Sequence, residues 1–482
     1  MRLDDLLAGL DARVATGHGA LELRAVTENS RQIGPGMIFA ALKGSKLDGT
    51  KFIPNAIAQG AVAVLAEPGA IVPAGTLLIE SSQPRRVLAQ IATRLAGPMP
   101  RVIAAITGTN GKTSSADFLR QIWEYAGTRA ASIGTLGIIA AGQPPRPSLT
   151  TPDPVTLARE LAALQQAGID YVAIEASSHG LDQARLDGVP LSAGGFTNLT
   201  RDHLDYHGDM ANYAAAKLRL FNELLPAEAP AVASTALDGA IMDQMREIAA
   251  RRNLQMETVG KGGSLLDLRR ATPAAEGQIL ELRAPLGLIE IMLPLAGSYQ
   301  ADNVLMAAGL ALMLESSSVL ESLLHLRGVR GRLELVARLP HRAAAYVDYA
   351  HTPDAITRLL QSLRPHCAGR LILVFGAGGD RDAGKRPLMG AVAAQLADIA
   401  IITDDNPRSE NPATIRAAIK AACPTGIEIG DRRRAIAAAL NMAGPDDLVV
   451  VAGKGHELGQ VVGDQVLPFD DAAVIREWTG AL

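Results

Sequence analysis

Aromatic residues, cysteines and long apolar runs are all scarce in this chain of 482 residues. Phenylalanine, tyrosine and tryptophan make up only 3% of the sequence, so its cores must be built from alanine, valine, leucine and isoleucine. The two cysteines, Cys367 and Cys423, are too few for a disulfide framework and lack the spacing of metal ligands. We therefore expect both to be small buried hydrophobic side chains.

An excess of basic charge is also missing, since the formal net charge is -4. Binding to a nucleic-acid backbone requires clustered lysine and arginine, so a nucleic-acid partner is not expected. The N-terminus carries Asp4 and Asp5 where a signal peptide has basic residues. No stretch approaches the ~20 apolar residues of a membrane span. These absences predict a soluble, cytoplasmic protein without membrane insertion, which we expect to be a monomer.

The length of the chain predicts several domains, because one hydrophobic core does not extend over 482 residues. Short strand-like and helical stretches alternate along the sequence, which is typical of an α/β fold. Residues 97–100 contain two prolines and a glycine, which break a helix and indicate a linker. A further segment begins near residue 328.

The most informative stretch is residues 103–114, in which an apolar run turns through Gly108 and Gly111 and ends at Lys112 and Thr113. Apolar residues at helical spacing follow, so the stretch predicts a strand, a glycine loop and a helix start. Such a loop offers backbone N–H groups to an anion, while the lysine reaches the outer phosphates and the hydroxyl reaches magnesium. Only two residues separate the glycines, so this is a shortened phosphate loop. An ordinary glycine turn is the less favoured alternative.

Polar residues follow two further strands predicted in the same segment. Glu175 comes directly after the apolar residues 171–174, and His203 lies in the loop after residues 193–196. Because ligands of open parallel sheets bind beyond the carboxyl ends of the strands, both side chains are expected beside the phosphate loop. A carboxylate and an imidazole there could hold magnesium, although such cations prefer oxygen ligands. A hydrogen-bonded loop histidine is an equally good account of His203.

For two residues at predicted helices, Lys217 and Asn303, the sequence leaves two interpretations open. Lys217 shares a helix face with Tyr213 and Phe221, and spacing alone favours a buried stem with its ammonium in water. The alternative is a buried amine of lowered pKa that reacts with carbon dioxide to form a carbamate. Asn303 precedes the helix predicted over residues 304–314 and is either a helix cap or a contact to a nucleotide base. Capping is the simpler account.

The third segment predicts a second doubly wound unit, in which helical stretches separate four strands. Each strand runs into a loop rich in glycine and polar residues, and the loops cover residues 349–353, 376–382, 404–408 and 453–457. The second loop lacks the third glycine of a dinucleotide fingerprint, so a nicotinamide cofactor is not expected. Four such loops on one edge indicate a ligand-binding face.

Together these motifs resemble the Mur ligase family, over essentially the whole chain. The resemblance implies a three-domain α/β fold with a UDP-binding N-terminal domain (1–98), a central phosphate-loop-type ATP-binding α/β domain (99–328) and a C-terminal doubly wound, Rossmann-like amino-acid-binding domain (329–482). It implies ATP binding by Gly108, Thr109, Asn110, Gly111, Lys112, Thr113, Ser114, Asn303, Arg332 and Asp348. It implies magnesium binding by Thr113, Glu175, His203 and a carbamylated Lys217, and catalysis by Lys112, Lys217, Glu175 and His203. The resemblance thus reverses the account of Lys217 that spacing favours.

Within the family, the sequence is most similar to members that add the third peptide residue to UDP-N-acetylmuramoyl-L-alanyl-D-glutamate. That resemblance assigns this substrate to Glu28, Ser30, Ser45, Thr150, Thr151, Ser177, Gln183 and Arg185. It assigns the added amino acid, meso-diaminopimelate, to Arg386, Asp405, Asn406, Pro407, Arg408, Gly453 and Glu457. The physical reason is that Arg408 offers a two-pronged partner for the far carboxylate of meso-diaminopimelate, while Glu457 and Asp405 can accept from its far ammonium.

The implied activity is an ATP-dependent ligation through an acyl phosphate, in peptidoglycan precursor synthesis. A folate polyglutamate synthetase is the competing expectation within the same class, opposed by the UDP-type first domain and by residues 405–408. A nucleotide-switch protein is the competing expectation from another class. The sequence contains no Asn-Lys-x-Asp guanine motif, which weakens that alternative.

Overall fold

The structure is a computed structural model that describes residues 1–14, 18–44, 47–274 and 277–480. It divides into two compact units, the first made of Met1–Leu265 and Leu305–Val319 and the second of Leu266–Val304 and Leu320–Leu482. The chain therefore passes from one unit to the other after Leu265, after Val304 and after Val319. The predicted three-domain boundaries, after residues 98 and 328, stay a prediction.

The N-terminal part of the first unit is a small sheet flanked by helices. Its strands are β1 (Arg13–Val14), β2 (Ala25–Thr27), β3 (Met37–Ala40), β4 (Ala61–Ala66) and β5 (Leu77–Glu80), and its helices are α1 (Leu3–Leu7), α2 (Ile53–Ala58) and α3 (Pro84–Ala96). The strands follow the order β1-β5-β4-β3-β2, with β1 antiparallel to β5 and the other neighbours parallel. Proline at the first position of α3 and glycine after its end match the usual helix boundaries.

The rest of the first unit is built on a second, larger sheet. Its strands are β6 (Val102–Thr107), β7 (Ala130–Gly134), β8 (Gly137–Ala140), β9 (Tyr171–Glu175), β10 (Ala193–Phe196), β11 (Pro230–Ser234) and β12 (Gln255–Gly260). Its helices are α4 (Lys112–Tyr125), α5 (Pro154–Gln166), α6 (Ser178–Asp182), α7 (Leu204–His207), α8 (Met210–Arg219) and α9 (Gly239–Arg252). The order β12-β11-β10-β6-β9-β7-β8 leads the chain away from β6 in both directions. The carboxyl end of β6 is therefore a topological switch point, where ligands of such sheets bind.

The second unit begins with an antiparallel sheet and the first part of a long helix. The strands are β13 (Leu266–Ala274), β14 (Gly277–Ala284) and β15 (Gly287–Leu293), followed by the helices α10 (Ser298–Met313) and α11 (Val319–Ser322). The part of α10 up to Val304 belongs to the second unit and the rest to the first, and α11 re-enters the second unit after Val319. Helix α10 starts at Ser298 rather than at residue 304, so Asn303 lies inside the helix. The interpretation of Asn303 as a helix cap is therefore wrong.

The remainder of the second unit is the predicted doubly wound fold. Its strands are β16 (Glu334–Arg338), β17 (Ala344–Asp348), β18 (Leu371–Phe375), β19 (Ile399–Ile402), β20 (Ile427–Glu428), β21 (Leu448–Ala452), β22 (Gly459–Val462) and β23 (Gln465–Pro468). Its helices are α12 (Pro353–Leu363), α13 (Lys385–Leu396), α14 (Pro412–Lys420), α15 (Arg432–Met442) and α16 (Asp471–Thr479). The six-stranded sheet runs β16-β17-β21-β18-β19-β20, and β22 and β23 form a separate hairpin. The four predicted ligand loops follow β17, β18, β19 and β21 on one sheet edge, as expected.

Within the described ranges, no helix is both long enough and apolar enough to cross a lipid bilayer. The buried residues are dominated by alanine, valine, leucine and isoleucine, as the shortage of aromatics predicts. Cys423 is buried and Cys367 is partly buried, and both carry thiols.

Candidate active site

The phosphate loop lies between β6 and α4, at the switch point of the central sheet. Gly108 and Gly111 adopt φ values of 142° and 86°, which favour glycine, and α4 begins directly after them at Lys112. A Cβ atom on Gly108 would lie 1.9 Å from Thr197 Oγ1, so a side chain is excluded there. The ammonium of Lys112 donates to the carbonyl oxygens of Gly108 (2.9 Å) and Thr109 (2.8 Å). The predicted strand, glycine loop and helix start are thus all present.

Thr197 and Asn198, which directly follow β10, support the loop. The sequence did not predict either of them as a site residue. Asn198 accepts from Asn110 N through its side chain (2.9 Å) and from Thr109 N through its carbonyl (2.8 Å). The hydroxyl of Thr197 donates to Asn110 O at 2.6 Å. The signal for both residues is their position directly after a buried strand beside β6.

Glu175 ends β9 and is 2% exposed, with its carboxylate beside the start of α4. Its Oε2 accepts from the hydroxyls of Thr113 (3.0 Å) and Thr135 (3.2 Å), and its Oε1 accepts from Thr135 N (2.7 Å). A Cβ on Gly134 would lie 2.0 Å from Oε1, so this approach requires glycine at the end of β7. The structure therefore brings the predicted ligand oxygens of Thr113 and Glu175 together. Thr135 was missed.

Lys217 is buried along its whole length, with 1% of its surface exposed. Its Nζ donates to Gly108 O at 2.7 Å and lies 4.5 Å from the centre of the Tyr213 ring. Burial, assisted by the nearby positive charge of Lys112, holds the pKa of Lys217 well below its ordinary value, while Asp202 acts in the opposite direction. The account in which the ammonium reaches water is wrong, because helical spacing gives the face of a residue but not its depth.

His203 stands at the start of α7 in the left-handed region, with φ +52°, and about half of its side chain is exposed. Its ring centre lies 5.0 Å from that of His179 and 6.2 Å from that of Tyr213. The hydroxyl of Tyr213 donates to Thr109 Oγ1 at 3.2 Å, so this aromatic group adjoins the phosphate loop. His179 and Tyr213 were not predicted as site residues.

The donor set suits magnesium only in part. In the described part of the chain, no three His, Cys, Asp or Glu side chains form a group able to hold a metal ion. The hydroxyl of Thr113 and the carboxylate of Glu175 are hard oxygen donors 3.0 Å apart, which fit magnesium. The amine of Lys217 does not fit a hard cation, whereas a carbamate on that nitrogen would supply oxygen.

The residues assigned to the muramoyl peptide are linked to Glu175 by hydrogen bonds. Thr151 Oγ1 donates to Glu175 O (2.6 Å), and Thr150 Oγ1 lies 3.0 Å from the hydroxyl of Thr135, which donates to the carboxylate of Glu175. Arg185 donates to Thr151 O (2.6 Å) and to Gln183 Oε1 (2.7 Å). Ser177, whose N–H donates to Thr151 Oγ1, caps α6 through its own hydroxyl.

The residues assigned to the UDP moiety lie in the N-terminal part of the same unit. Burial raises the pKa of Glu28, as does Asp153, while Arg85 and Arg185 lower it. Glu28 thus interacts electrostatically with Arg185, one of the residues assigned to the muramoyl peptide. Ser30 begins a short turn. The side chain of Asn29, directly before it, accepts from the backbone N–H of Arg31. Ser45 lies outside the described residues.

The three further residues assigned to ATP, Asn303, Arg332 and Asp348, form a connected group in the second unit. Asp348 accepts from Leu333 N (2.7 Å) and from Ala350 N (2.8 Å), and burial raises its pKa against the opposing charge of Arg332. The guanidinium of Arg332 lies 4.6 Å from the centre of the Tyr349 ring. Helix α10 adds two links. Gln300 donates to Arg332 O (2.8 Å) and accepts from Asn303 (3.3 Å).

The residues assigned to meso-diaminopimelate also lie together, beyond the carboxyl ends of β18, β19 and β21. Asn406 Nδ2 donates to Glu457 Oε2 at 2.9 Å. A Cβ on Gly453, whose φ is +114°, would lie 2.4 Å from Asp405 Oδ2, so glycine is required there. The carbonyl of Asn406, the residue before Pro407, accepts from Gly379 N (2.9 Å). Arg386 is 4% exposed and pairs with Glu410 (2.8 Å), a partner that the sequence did not indicate.

Arg408 is held by the β22–β23 hairpin. Its backbone has φ +52° in the left-handed region, and Val461 O accepts from its N–H at 3.0 Å. Gly463 N donates to Arg408 O (2.8 Å), and Gln460 Nε2 donates to Asp405 O (2.7 Å). The guanidinium donates to a loop carbonyl after β18. The hairpin therefore fixes the backbone of Arg408, and with it the direction in which the side chain starts from the loop.

Fold and site together define a multidomain α/β protein with a shortened phosphate loop at the switch point of its central sheet. The Mur ligase middle domain matches residues 106–311, the Mur ligase glutamate ligase domain residues 331–455, and the Mur ligase family catalytic domain residues 22–95. The chain belongs to the Mur ligase family.

Individual relatives agree with this membership. The chain is 51% identical over 459 residues to the UDP-N-acetylmuramoyl-L-alanyl-D-glutamate–2,6-diaminopimelate ligase of Caulobacter vibrioides, covering 94% of each chain. A solved structure of a ligase of that description is 31% identical, with a TM-score of 0.74 over 100% of this chain and 99% of the other. Folylpolyglutamate synthase of Mycobacterium tuberculosis is 20% identical, with a TM-score of 0.65 over 83% and 96%, and shares the fold alone.

Proposed function

We infer that this chain is an ATP-dependent ligase that joins meso-diaminopimelate to UDP-N-acetylmuramoyl-L-alanyl-D-glutamate, in the synthesis of peptidoglycan precursors. The observation that carries the proposal is the position of Glu175. Its side-chain carboxylate accepts from Thr113 of the phosphate loop, and its backbone carbonyl accepts from Thr151, one of the residues assigned to the muramoyl peptide. A transferable phosphoryl group and an acceptor carboxylate would therefore meet beside one buried side chain.

The proposed chemistry has two steps. The γ-phosphoryl group leaves ADP as its bond to the bridging oxygen breaks, and a side-chain carboxylate oxygen of D-glutamate forms the new bond to phosphorus. The resulting acyl phosphate is then attacked at its carbonyl carbon by an amine of meso-diaminopimelate. Inorganic phosphate departs with the electrons of the carbon–oxygen bond, and the amine gives up a proton. The products are the amide, ADP and phosphate.

The residues of the phosphate loop have defined tasks in this scheme. Lys112 would place positive charge on the outer phosphates, and the N–H groups at the start of α4 would hold the anion. Thr113, Glu175, His203 and a carbamylated Lys217 would hold magnesium, which offsets the negative charge that develops during phosphoryl transfer. Asn303, Arg332 and Asp348 are the proposed contacts to the rest of ATP.

The choice of amino acid is proposed to depend on the loop after β19. Lysine and meso-diaminopimelate share the far ammonium, but only meso-diaminopimelate adds a far carboxylate. Arg408 matches that carboxylate with two parallel N–H donors, and Glu457 and Asp405 match the ammonium. The relatives named for 2,6-diaminopimelate support this choice over lysine.

The test is phosphate release from ATP with the UDP-muramoyl dipeptide, comparing meso-diaminopimelate with L-lysine. We expect release to require the dipeptide and to be faster with meso-diaminopimelate by at least ~10-fold, the value of one charged hydrogen-bond pair. Arg408→Lys keeps the charge but removes the fork, so it should lose most of this preference.

Equal rates with the two amino acids would contradict the role of Arg408. Release that ignores both amino acids, together with nucleotide-dependent binding of another macromolecule, would favour a nucleotide switch. Release with glutamate and a folate instead would favour the folate alternative. The proposal includes a cytoplasmic location and a monomeric state, and light scattering during turnover would test the latter.

A further inference from the structure

A buried ammonium group in the second unit has no role in the scheme above. Lys454 follows β21 and is 0% exposed. Its Nζ donates to Asn406 Oδ1 at 3.0 Å and to Glu457 Oε2 at 3.2 Å. Because a buried charge is strongly destabilising without partners, both acceptors are needed to keep this ammonium in place. Both belong to the predicted amino-acid site.

The bonds around Lys454 fix the orientation of the Asn406 amide. Its oxygen accepts from Lys454 and from Val461 N (2.9 Å), and its nitrogen donates to Glu457 Oε2 (2.9 Å). Turning the amide over would set its NH2 group against two donors. The amide can therefore adopt only the orientation in which it supports Glu457.

The same bonds decide which part of Glu457 faces a ligand. Lys454 and Asn406 both donate to Oε2, so Oε1 is the oxygen through which Glu457 can accept from an incoming ammonium. About a third of the Glu457 side chain is exposed, whereas Lys454 is wholly enclosed. Lys454 can thus act on a ligand only through its neighbours.

Charge adds a second consequence. Lys454, Asn406 and Glu457 together carry no net charge. A site with an uncompensated carboxylate would attract any cationic side chain, including that of lysine. The neutral group leaves discrimination to Arg408 and the far carboxylate.

We propose that Lys454 is a positioning residue that holds Glu457 and Asn406 in the geometry that receives the far ammonium of the diamino acid, a role that rests on the proposed function. Removing it frees Glu457 to turn toward water and leaves a net negative charge. Loss of the positioned acceptor should weaken binding of meso-diaminopimelate, and the added negative charge, which attracts the ammonium of either amino acid, should lower the preference over lysine. ATP and the dipeptide should bind as before.

The experiment compares Lys454→Met with the wild-type protein in the phosphate-release assay. We expect KM for meso-diaminopimelate to rise at least ~10-fold, with KM for ATP and for the dipeptide within ~2-fold. The ratio of kcat/KM for meso-diaminopimelate to that for lysine should fall at least ~5-fold. Lys420→Met is the matched control, because Lys420 also donates to two acceptors, the carbonyls of Pro424 and Gly426, outside the site.

A double variant separates positioning from a general structural effect. In a Glu457→Gln background, Lys454→Met should add less than ~2-fold to the KM for meso-diaminopimelate, because its action passes through the missing carboxylate. Lys454→Gln, which retains an uncharged NH2 donor group, should show an intermediate KM and serves if the methionine variant does not fold.

Several results would overturn the inference. Equal losses for all three substrates, additive effects in the double variant, or failure of both single variants to fold would make Lys454 a structural residue only. An unchanged KM for meso-diaminopimelate would remove any role. A wild-type protein that releases no phosphate with meso-diaminopimelate would instead overturn the proposed function, and this inference with it.

Discussion

Lys217 illustrates what a single buried residue can decide. Its nitrogen lies 2.7 Å from Gly108 O. Burial lowers its pKa, which favours the neutral form of the amine, the form that reacts with carbon dioxide. The sequence placed this lysine on an apolar helix face but could not give its depth, which depends on the packing of α8 against the phosphate loop. The positions of Glu175 and Thr113 were easier to predict, because Glu175 ends a buried strand and Thr113 directly follows the glycine loop.

Substitution of Lys217 tests the carbamate. Lys217→Ala should lower kcat by at least ~100-fold, since both the carbamate and its charge are lost. Lys261→Ala, on an exposed lysine of the same unit, should leave kcat unchanged. In the wild-type protein at fixed dissolved carbon dioxide, activity should fall as the pH is lowered, because protonation of the amine reverses carbamate formation. Near-normal activity of Lys217→Ala would remove the carbamate from the mechanism.

At the scale of elements, the alternation of strands and polar loops was predictable, and helix boundaries were less so. The sequence placed β10 at residues 193–196 and the helix start at Lys112, where apolar runs meet glycine or polar residues. It missed α9, whose stretch is weakly patterned although Asp238 caps it by accepting from Ala240 N. It began α10 too late, because the bonds of its first turn run to residues far away in sequence, such as Asp348.

The end of β7 offers a test of an element that no motif includes. Gly134→Ala would place a Cβ within 2.0 Å of Glu175 Oε1 and within 2.6 Å of its Cγ, so the carboxylate must leave Thr113 and Thr135. We expect kcat to fall ~10- to 100-fold, the usual loss when a partner of a metal ligand is removed. The melting temperature should change by only a few degrees, because the side chain can rotate.

Gly239→Ala is the control for this prediction. Gly239 begins α9, and a Cβ there meets nothing within 4 Å, so both activity and stability should be retained. Wild-type kcat in Gly134→Ala would show that the position of Glu175 is not needed for turnover.

At the scale of the whole molecule, the division into two units was not predictable from the sequence. Leu266–Val304 is compact with the C-terminal residues and Leu305–Val319 with the N-terminal ones, while the boundaries after residues 98 and 328 stay a prediction. Such interleaving depends on contacts of high sequence separation. One example is the bond from Gly297 N to His366 Nε2 (3.0 Å).

The two cysteines report on one unit alone, because Cys367 and Cys423 both belong to the second. Burial raises the pKa of both thiols, so at a given pH each holds less reactive thiolate than an exposed cysteine. In the native protein we expect slow alkylation of Cys367 that accelerates as pH rises, and alkylation of Cys423 only after the second unit unfolds. Mass spectrometry of samples alkylated across a urea gradient measures both. Rapid labelling of Cys423 without denaturant would contradict the packing described here.

The hairpin formed by β22 and β23 has a consequence for redesign. Arg408 and Asp405 depend on Val461, Gly463 and Gln460 for their backbone geometry. Grafting residues 405–408 from a relative with another amino-acid preference would therefore place foreign side chains on an unchanged support. The transferable module is discontinuous, and it consists of that loop together with residues 454–463.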